Sequence, residues 1–192
     1  MSVKQFETVE QLLEYQATLE GRAVAAAATP TQIEYVIGDA TAPGYPTVDR
    51  FICHVCNDVG AWGRGFTRSL SSLSPEPERR YRDALKQLSP HPLGGCTITK
   101  VNPSLFVANM IAQHGLPTRA KRVVIDYPAL EMCLEFVGKV AADWGVSCHM
   151  PRIGCGIAGG DWHVVSEIIE RTLCAKGVRV FVYDLPPSDR DN

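Results

Sequence analysis

The spacing of apolar residues changes period several times along the chain, and those changes mark out its elements. Phe6, Val9, Leu12, Leu13, Gln16 and Leu19 form a helical stripe, followed by the alanine-rich run Ala23–Ala28 and a stop at Pro30. This predicts an N-terminal helical extension over residues 1–30, with no chemistry in it. The period then shortens to that of strands at Ile33–Ile37 and Phe51–Cys56. A helix is predicted from a glycine-rich loop through Leu73, and another from Pro75 carrying Tyr81, Leu85 and Leu88. Strands follow at Gly94–Val101 and Leu105–Ile111 across an Asn102-Pro103 turn, then a loop over 113–121. Tyr127–Trp144 reads as a helix broken by Gly145, and Val146–Met150 as a short buried strand. Trp162, Val165, Ile168, Ile169, Thr172 and Leu173 give a further helix with Asp161 as its N-cap. Val178–Tyr183 is the last strand, and residues 186–192 read as a polar tail. Strands alternating with helices predict an α/β sandwich with its ligand loops at the strands' C-terminal ends.

Composition narrows the class. The chain has 192 residues, ample for a core without disulfide or metal staples. Lys plus Arg total 19 against 21 Asp plus Glu, a formal charge of −2, so no general nucleic-acid or membrane binding is expected. No apolar run approaches the roughly 20 residues of a membrane span. The first residues lack the basic-then-apolar plan of a signal peptide, and the cysteines number seven, an odd count. Those features together predict a reduced, cytoplasmic setting.

Two glycine-rich stretches carry the candidate chemistry. Gly154, Gly156, Gly159 and Gly160 fall within seven residues, between a predicted strand and a predicted helix. Such a loop brings backbone N–H groups close to a ligand and favours an anion, phosphate above all. The second stretch, Asn57 to Phe66, also leaves the end of a strand. Cys53-x-x-Cys56 has the spacing of a zinc or redox pair, but an odd spacing on a strand points the two thiols to opposite faces. No cofactor or metal is expected, and small apolar packing is the ordinary role of these cysteines.

Gly38-Asp39-Ala40-Thr41, the His54…Asn57…Gly63-Arg64-Gly65 loop, Pro151–Ile157 and the closing Val182-Tyr183-Asp184 occur in the order and at the spacing of macrodomains. The chain resembles that family over about residues 31–185. Within it, the pattern Gly60-Ala61-Trp62-Gly63-Arg64-Gly65 is similar to the branch that includes the yeast ADP-ribose-1″-phosphate phosphatase and the human terminal ADP-ribose protein glycohydrolase.

The resemblance implies a three-layer α/β/α sandwich with a mixed central sheet, and ADP-ribose or an ADP-ribosylated substrate as partner. It implies that Asp39, next to Ala40, accepts a hydrogen bond from the adenine amino group, the alternative being a turn-forming aspartate. Tyr183 would stack on adenine, or else belong to the core. The diphosphate would lie on Gly154, Cys155, Gly156, Ile157, Ala158 and Gly159. Asn57 would meet the ribose farther from adenine (the proximal ribose), with Gly63 and Gly65 closing over it.

Two departures stand out. The glycohydrolase places an aspartate where Ala158 stands and pairs it with a lysine on a central strand. Phe106–Ile111 carries no lysine, which argues against lysine-type covalent chemistry. Many macrodomains also place an aromatic at Ala158, so its loss implies a roomier floor or filling by Trp62 or Phe66.

His54 and Asp161 are then the expected catalytic pair, with Asp58 and His149 as weaker candidates. A backbone-bonded strand histidine and a helix cap are their ordinary alternatives. Arg64 either reaches a phosphate or is a plain exposed arginine, and Arg152 is expected to pair with an acidic neighbour. The expected function is binding of ADP-ribose and hydrolysis of a derivative at the proximal ribose, removing a phosphate or an ADP-ribosyl group. A non-catalytic ADP-ribose reader is the alternative, and a thiol-redox or zinc protein a third class.

Overall fold

The computed structural model describes residues 29–42 and 49–186. The predicted N-terminal helix, up to residue 28, and the tail from residue 187 lie outside the described residues.

Six strands form one sheet: β1 (Ile33–Ile37), β2 (Arg50–Asn57), β3 (Cys96–Asn102), β4 (Leu105–Gln113), β5 (Ser147–Pro151) and β6 (Val180–Asp184). Their spatial order is β1-β6-β5-β2-β4-β3, parallel throughout except for the β3–β4 hairpin. Among the described residues four α-helices cover it: α1 (Phe66–Leu73), α2 (Glu76–Leu88), α3 (Tyr127–Trp144) and α4 (Trp162–Thr172). A 3₁₀ turn at Cys174–Lys176 leads into β6.

Alternation along β2 sorts the helices into layers, because successive side chains point to opposite faces. Phe51 and Cys53 enter the large core with Leu130, Leu134 and Val137 of α3 and Val165, Ile168 and Ile169 of α4. Ile52 meets Leu70 of α1, and Cys56 meets Tyr81 of α2. Cys53 and Cys56 therefore face opposite sides. Every residue of β4 is buried, as expected of a strand covered on both faces.

Local signals explain the helix ends. Asp126 Oδ1 accepts the N–H of Ala129 at 2.9 Å to start α3, and Gly145 ends it in the left-handed conformation, φ 66°. Asp161 caps α4 through a 2.9 Å bond from the N–H of His163. A side chain at Gly138 would overlap the Thr172 carbonyl, so this glycine is what lets α3 approach the end of α4.

The strands differ from their sequence pattern only at the ends. β4 runs on to Gln113, which pairs with Asn57 after a bulge in β4 that leaves Ala112 unpaired with β2. β3 begins at Cys96, because Gly94 and Gly95 turn the chain and bond to Ile111 and Pro92. The parallel strands end together, so the loops after β1, β2, β4, β5 and β6 share one edge.

Candidate functional site

The loop after β5 is built to leave donors unspent. Internally, the N–H of Cys155 bonds to Arg152, that of Gly159 to Gly156 and that of Gly160 to Gly154. The N–H groups of Gly154, Gly156, Ile157 and Ala158 donate to no described residue. Gly156 has no positive φ, and a Cβ built on it would meet nothing within 4 Å. Its face is open.

Below the loop, the Ala158 carbonyl accepts the N–H groups of Val124 and Ile125 at 2.9 and 3.3 Å. Ala158 itself is buried, and Cys155 is half-buried with its thiol pushed up to about 11, chiefly by burial. The Cys155 thiol is thereby kept from nucleophilic work at neutral pH.

The loop after β2 meets this one. A Cβ at Gly65 would stand 3.0 Å from Ile157 Cδ1, and Gly63 and Gly65 hold φ of 90° and 57°, values that favour glycine. Thr67 Oγ1 ties the loop by accepting the N–H groups of Gly63 and Arg64. Arg64 extends into solvent without an ion pair to any described residue.

The structure gives Asn57 several partners within its own loop. Its Oδ1 accepts the N–H groups of Val59 and Ala61, its Nδ2 donates to the Ala61 carbonyl, and Tyr81 OH lies 2.9 Å from Oδ1 and 2.6 Å from the Asn57 carbonyl. Asn57 is the internal anchor of the loop. Tyr81, fully buried on α2, was not a site candidate in the sequence, since only folding brings it to a residue 24 positions earlier.

His54 is corrected by the same view. The residue is 2% exposed, its ring packed against Trp62 and Phe66 with centroids 5.4 and 6.1 Å away. Asn109 Nδ2 donates to the Pro77 carbonyl and to Thr97, which turns Oδ1 toward His54 Nε2 at 2.6 Å and assigns the ring proton there. His54 faces the α1/α2 layer, whereas Asp161 caps α4 on the other face. No hydrogen bond joins the two. Trp62 and Phe66 cover His54 rather than filling space at Ala158; Trp62 also donates from Nε1 to Ser71 at 2.8 Å.

Tyr183 is corrected likewise. It ends β6 but is 6% exposed, packed with Ala40 and Val36, and its OH lies 2.8 Å from His149 Nδ1. Its ring belongs to the core. Asp39 is exposed beside it. One carboxylate oxygen, Oδ1, accepts the N–H and Oγ1 of Thr41 at 2.8 Å each, the other taking no bond from a described residue. Both readings of Asp39 are thus compatible: one oxygen makes the turn, and the other is not spent on it. Arg152 has the acidic partner expected of it, a two-pronged pair with Asp184 at 2.7 Å.

Both buried histidines are held neutral. Burial pushes His54 down to about 4, offset in part by its hydrogen bonds, and burial plus the Arg50 and Arg179 charges push His149 down to about 4. A histidine depressed from 6.5 costs nothing above 6.5, where both folded and unfolded forms are neutral. As pH falls from 6.5 to 4 only the unfolded chain takes the proton, and each group removes up to about 3 kcal/mol. The urea midpoint should therefore drop steeply through that window. A midpoint flat from pH 7 to pH 4.5 would contradict it.

Among the described residues no group of three or more His, Cys, Asp or Glu could hold a metal ion, and no helix is long and apolar enough to cross a membrane. All seven cysteines are free thiols.

No protein-family model matches the chain. A macrodomain protein from Streptomyces coelicolor is 39% identical, the match covering 80% of this chain and 99% of that one with a TM-score of 0.69. This chain belongs to the macrodomain family. A Bacteroides thetaiotaomicron protein of unknown function is 42% identical over 81% of this macrodomain and 99% of its own chain, TM-score 0.75. The macrodomain is also 32% identical over 169 residues to chromodomain-helicase-DNA-binding protein 1-like of Mus musculus, covering 82% of this chain. It spans only 18% of that relative and 16% of the Danio rerio protein of the same name. An ADP-ribose 1″-phosphate phosphatase of Candida glabrata is 23% identical over 158 residues, 65% of this chain and 85% of that protein.

Proposed function

We propose that this macrodomain binds ADP-ribose along the C-terminal edge of its sheet and hydrolyses a derivative at the proximal ribose. The observation that carries the reading is the row of open N–H groups at Gly154, Gly156, Ile157 and Ala158, beside the Gly63–Gly65 turn. Two adjacent phosphates need several donors from a surface without side chains in the way, and this loop offers them. Asp39, at the end of β1, provides the acceptor for the adenine amino group. The proximal ribose then falls between the β2 and β5 loops, near Ile157 and Gly65. Support for hydrolysis comes from the similarity to the Candida glabrata protein, a phosphatase of ADP-ribose 1″-phosphate.

A specific observation favours the second reading, a reader without turnover. His54 is sealed in the core, and one oxygen of Asp161 is committed to capping α4. The experiment that separates the two readings incubates the protein with ADP-ribose-1″-phosphate and with mono-ADP-ribosylated protein, alongside an ADP-ribose titration. The leading reading expects binding and release of ADP-ribose from one of the two. Binding with neither substrate consumed leaves the reader, and no binding removes both.

A further inference from the structure

Asp58 and His114 lie 56 residues apart in sequence, yet the fold joins them where the β2 and β4 loops begin. His114 Nδ1 is 2.7 Å from Asp58 Oδ2, while Asp58 Oδ1 accepts the N–H of Gly115 at 2.7 Å. The carboxylate side chain is 10% exposed and the imidazole 65% exposed. Held at Nδ1, the ring turns an uncommitted Nε2 outward, taking no bond from a described residue. A base fixed by a shielded carboxylate and open at its other nitrogen is the arrangement that proton transfer needs.

The position of the pair fits the same end of the ligand. The N–H of His114 bonds to the Val124 carbonyl, and the N–H of Val124 to the Ala158 carbonyl. Two such rungs put the His114 backbone about 10 Å from the phosphate loop, given about 4.8 Å per rung. The β4–α3 loop that follows His114 carries Arg119, Lys121 and Arg122, all exposed and with no ion pair to a described residue. The Arg122 carbonyl is 2.7 Å from a Cβ built at Gly159, so the backbone of this segment runs against the β5–α4 loop. Three uncompensated cations there suit a further phosphate beyond the diphosphate.

We infer that His114 is the proton-transfer residue of this macrodomain, positioned by Asp58, and that its substrate is a phosphate monoester on the proximal ribose. The inference rests on the hydrolase reading above. In the reaction, Nε2 of neutral His114 takes a proton from water, and the water oxygen bonds to phosphorus as the bond from phosphorus to the ribose oxygen breaks. The breaking bond lies in line on the far side of phosphorus from the water, so the ribose oxygen takes its proton from solvent while the imidazolium releases its own to solvent, giving ADP-ribose and inorganic phosphate with water as the only co-reactant. Asp58 keeps the other ring proton at Nδ1 and stabilises the imidazolium. The Arg119–Arg122 segment offsets the charge of the phosphate in flight.

The test follows ADP-ribose-1″-phosphate turnover and ADP-ribose affinity on the full chain. His114→Ala should lower kcat about 100-fold or more, the scale for losing a general acid or base, with affinity changed less than about threefold. Because the ring is exposed, added imidazole should restore part of that rate, which no structural role for His114 explains. Asp58→Asn keeps an acceptor for Gly115 but removes the charge facing the ring, and should lower kcat about tenfold or more. If His114→Ala turns over at the wild-type rate, the inference is overturned while the hydrolase reading stands. If the wild type consumes only mono-ADP-ribosylated protein, the phosphate-ester assignment is overturned. Wild type that binds ADP-ribose and consumes neither substrate overturns the hydrolase reading and this inference together.

Discussion

Gly156→Val should abolish measurable ADP-ribose binding while leaving the fold intact. The position has ordinary φ, so valine imposes no left-handed strain, and a Cβ there meets no neighbour within 4 Å. The protein has no steric reason to unfold. The ligand does have one, because the two methyl groups would stand where a diphosphate must approach the unbonded N–H groups of Gly156 and Ile157. Each hydrogen bond to a charged group is worth about 1.5–3 kcal/mol, so losing two of them lowers affinity by two orders of magnitude or more. Calorimetry should show no heat of binding, with far-ultraviolet circular dichroism and the urea midpoint unchanged. Normal affinity in the variant would put the phosphates elsewhere.

The second large effect is a reversal of base preference by Asp39→Asn. In the wild type, Oδ1 of Asp39 is spent on Thr41, and the second oxygen is the acceptor available to the adenine amino group. Asparagine keeps an oxygen for the Thr41 turn and replaces the second oxygen with an NH₂ donor. Donor then faces donor. The loss should be about 1.5–3 kcal/mol for ADP-ribose, or roughly 10- to 150-fold. The hypoxanthine analogue presents a carbonyl in place of the amino group, so wild type should bind it weakly and the variant should prefer it. Equal affinity of the wild type for the two ligands would remove Asp39 from base recognition.

The chain announces what local chemistry controls. Helix α3 could be read from Tyr127 to Trp144 because Gly145 stops it, and the structure adds the Asp126 cap at its start, both through bonds within a few residues. The opposed faces of Cys53 and Cys56 follow from strand alternation alone. The glycine-rich turn between β5 and α4 was legible for a similar reason, since glycines cluster where a strand turns tightly into a helix. What was not legible depends on residues meeting from afar. His54 looks like a base at a strand mouth until Trp62 and Phe66 fold back over it and Asn109 arrives from the neighbouring strand. Tyr183 looks like a platform for adenine until His149, 34 residues earlier, takes its hydroxyl. Asn57 looks like a ligand contact until Tyr81 and the Ala61 backbone use its amide. His114 lay in a segment read simply as a loop, and no spacing rule links it to Asp58.

Buried polar groups explain these changes of role. A histidine, an asparagine or a tyrosine hydroxyl taken out of water must find a partner or cost about 1–3 kcal/mol. In this macrodomain each has found one in the protein, so those side chains tie the loops and strands to one another. Backbone N–H groups of the β5–α4 loop are the donors left over.

The central claim is that those leftover donors hold the diphosphate, and an amide-resolved NMR titration with ADP-ribose tests it most directly. The account expects saturable one-to-one binding, with the largest amide proton shifts at Gly154, Gly156, Ile157 and Ala158. Saturable binding with those four amides unmoved, or no binding at all, would contradict it.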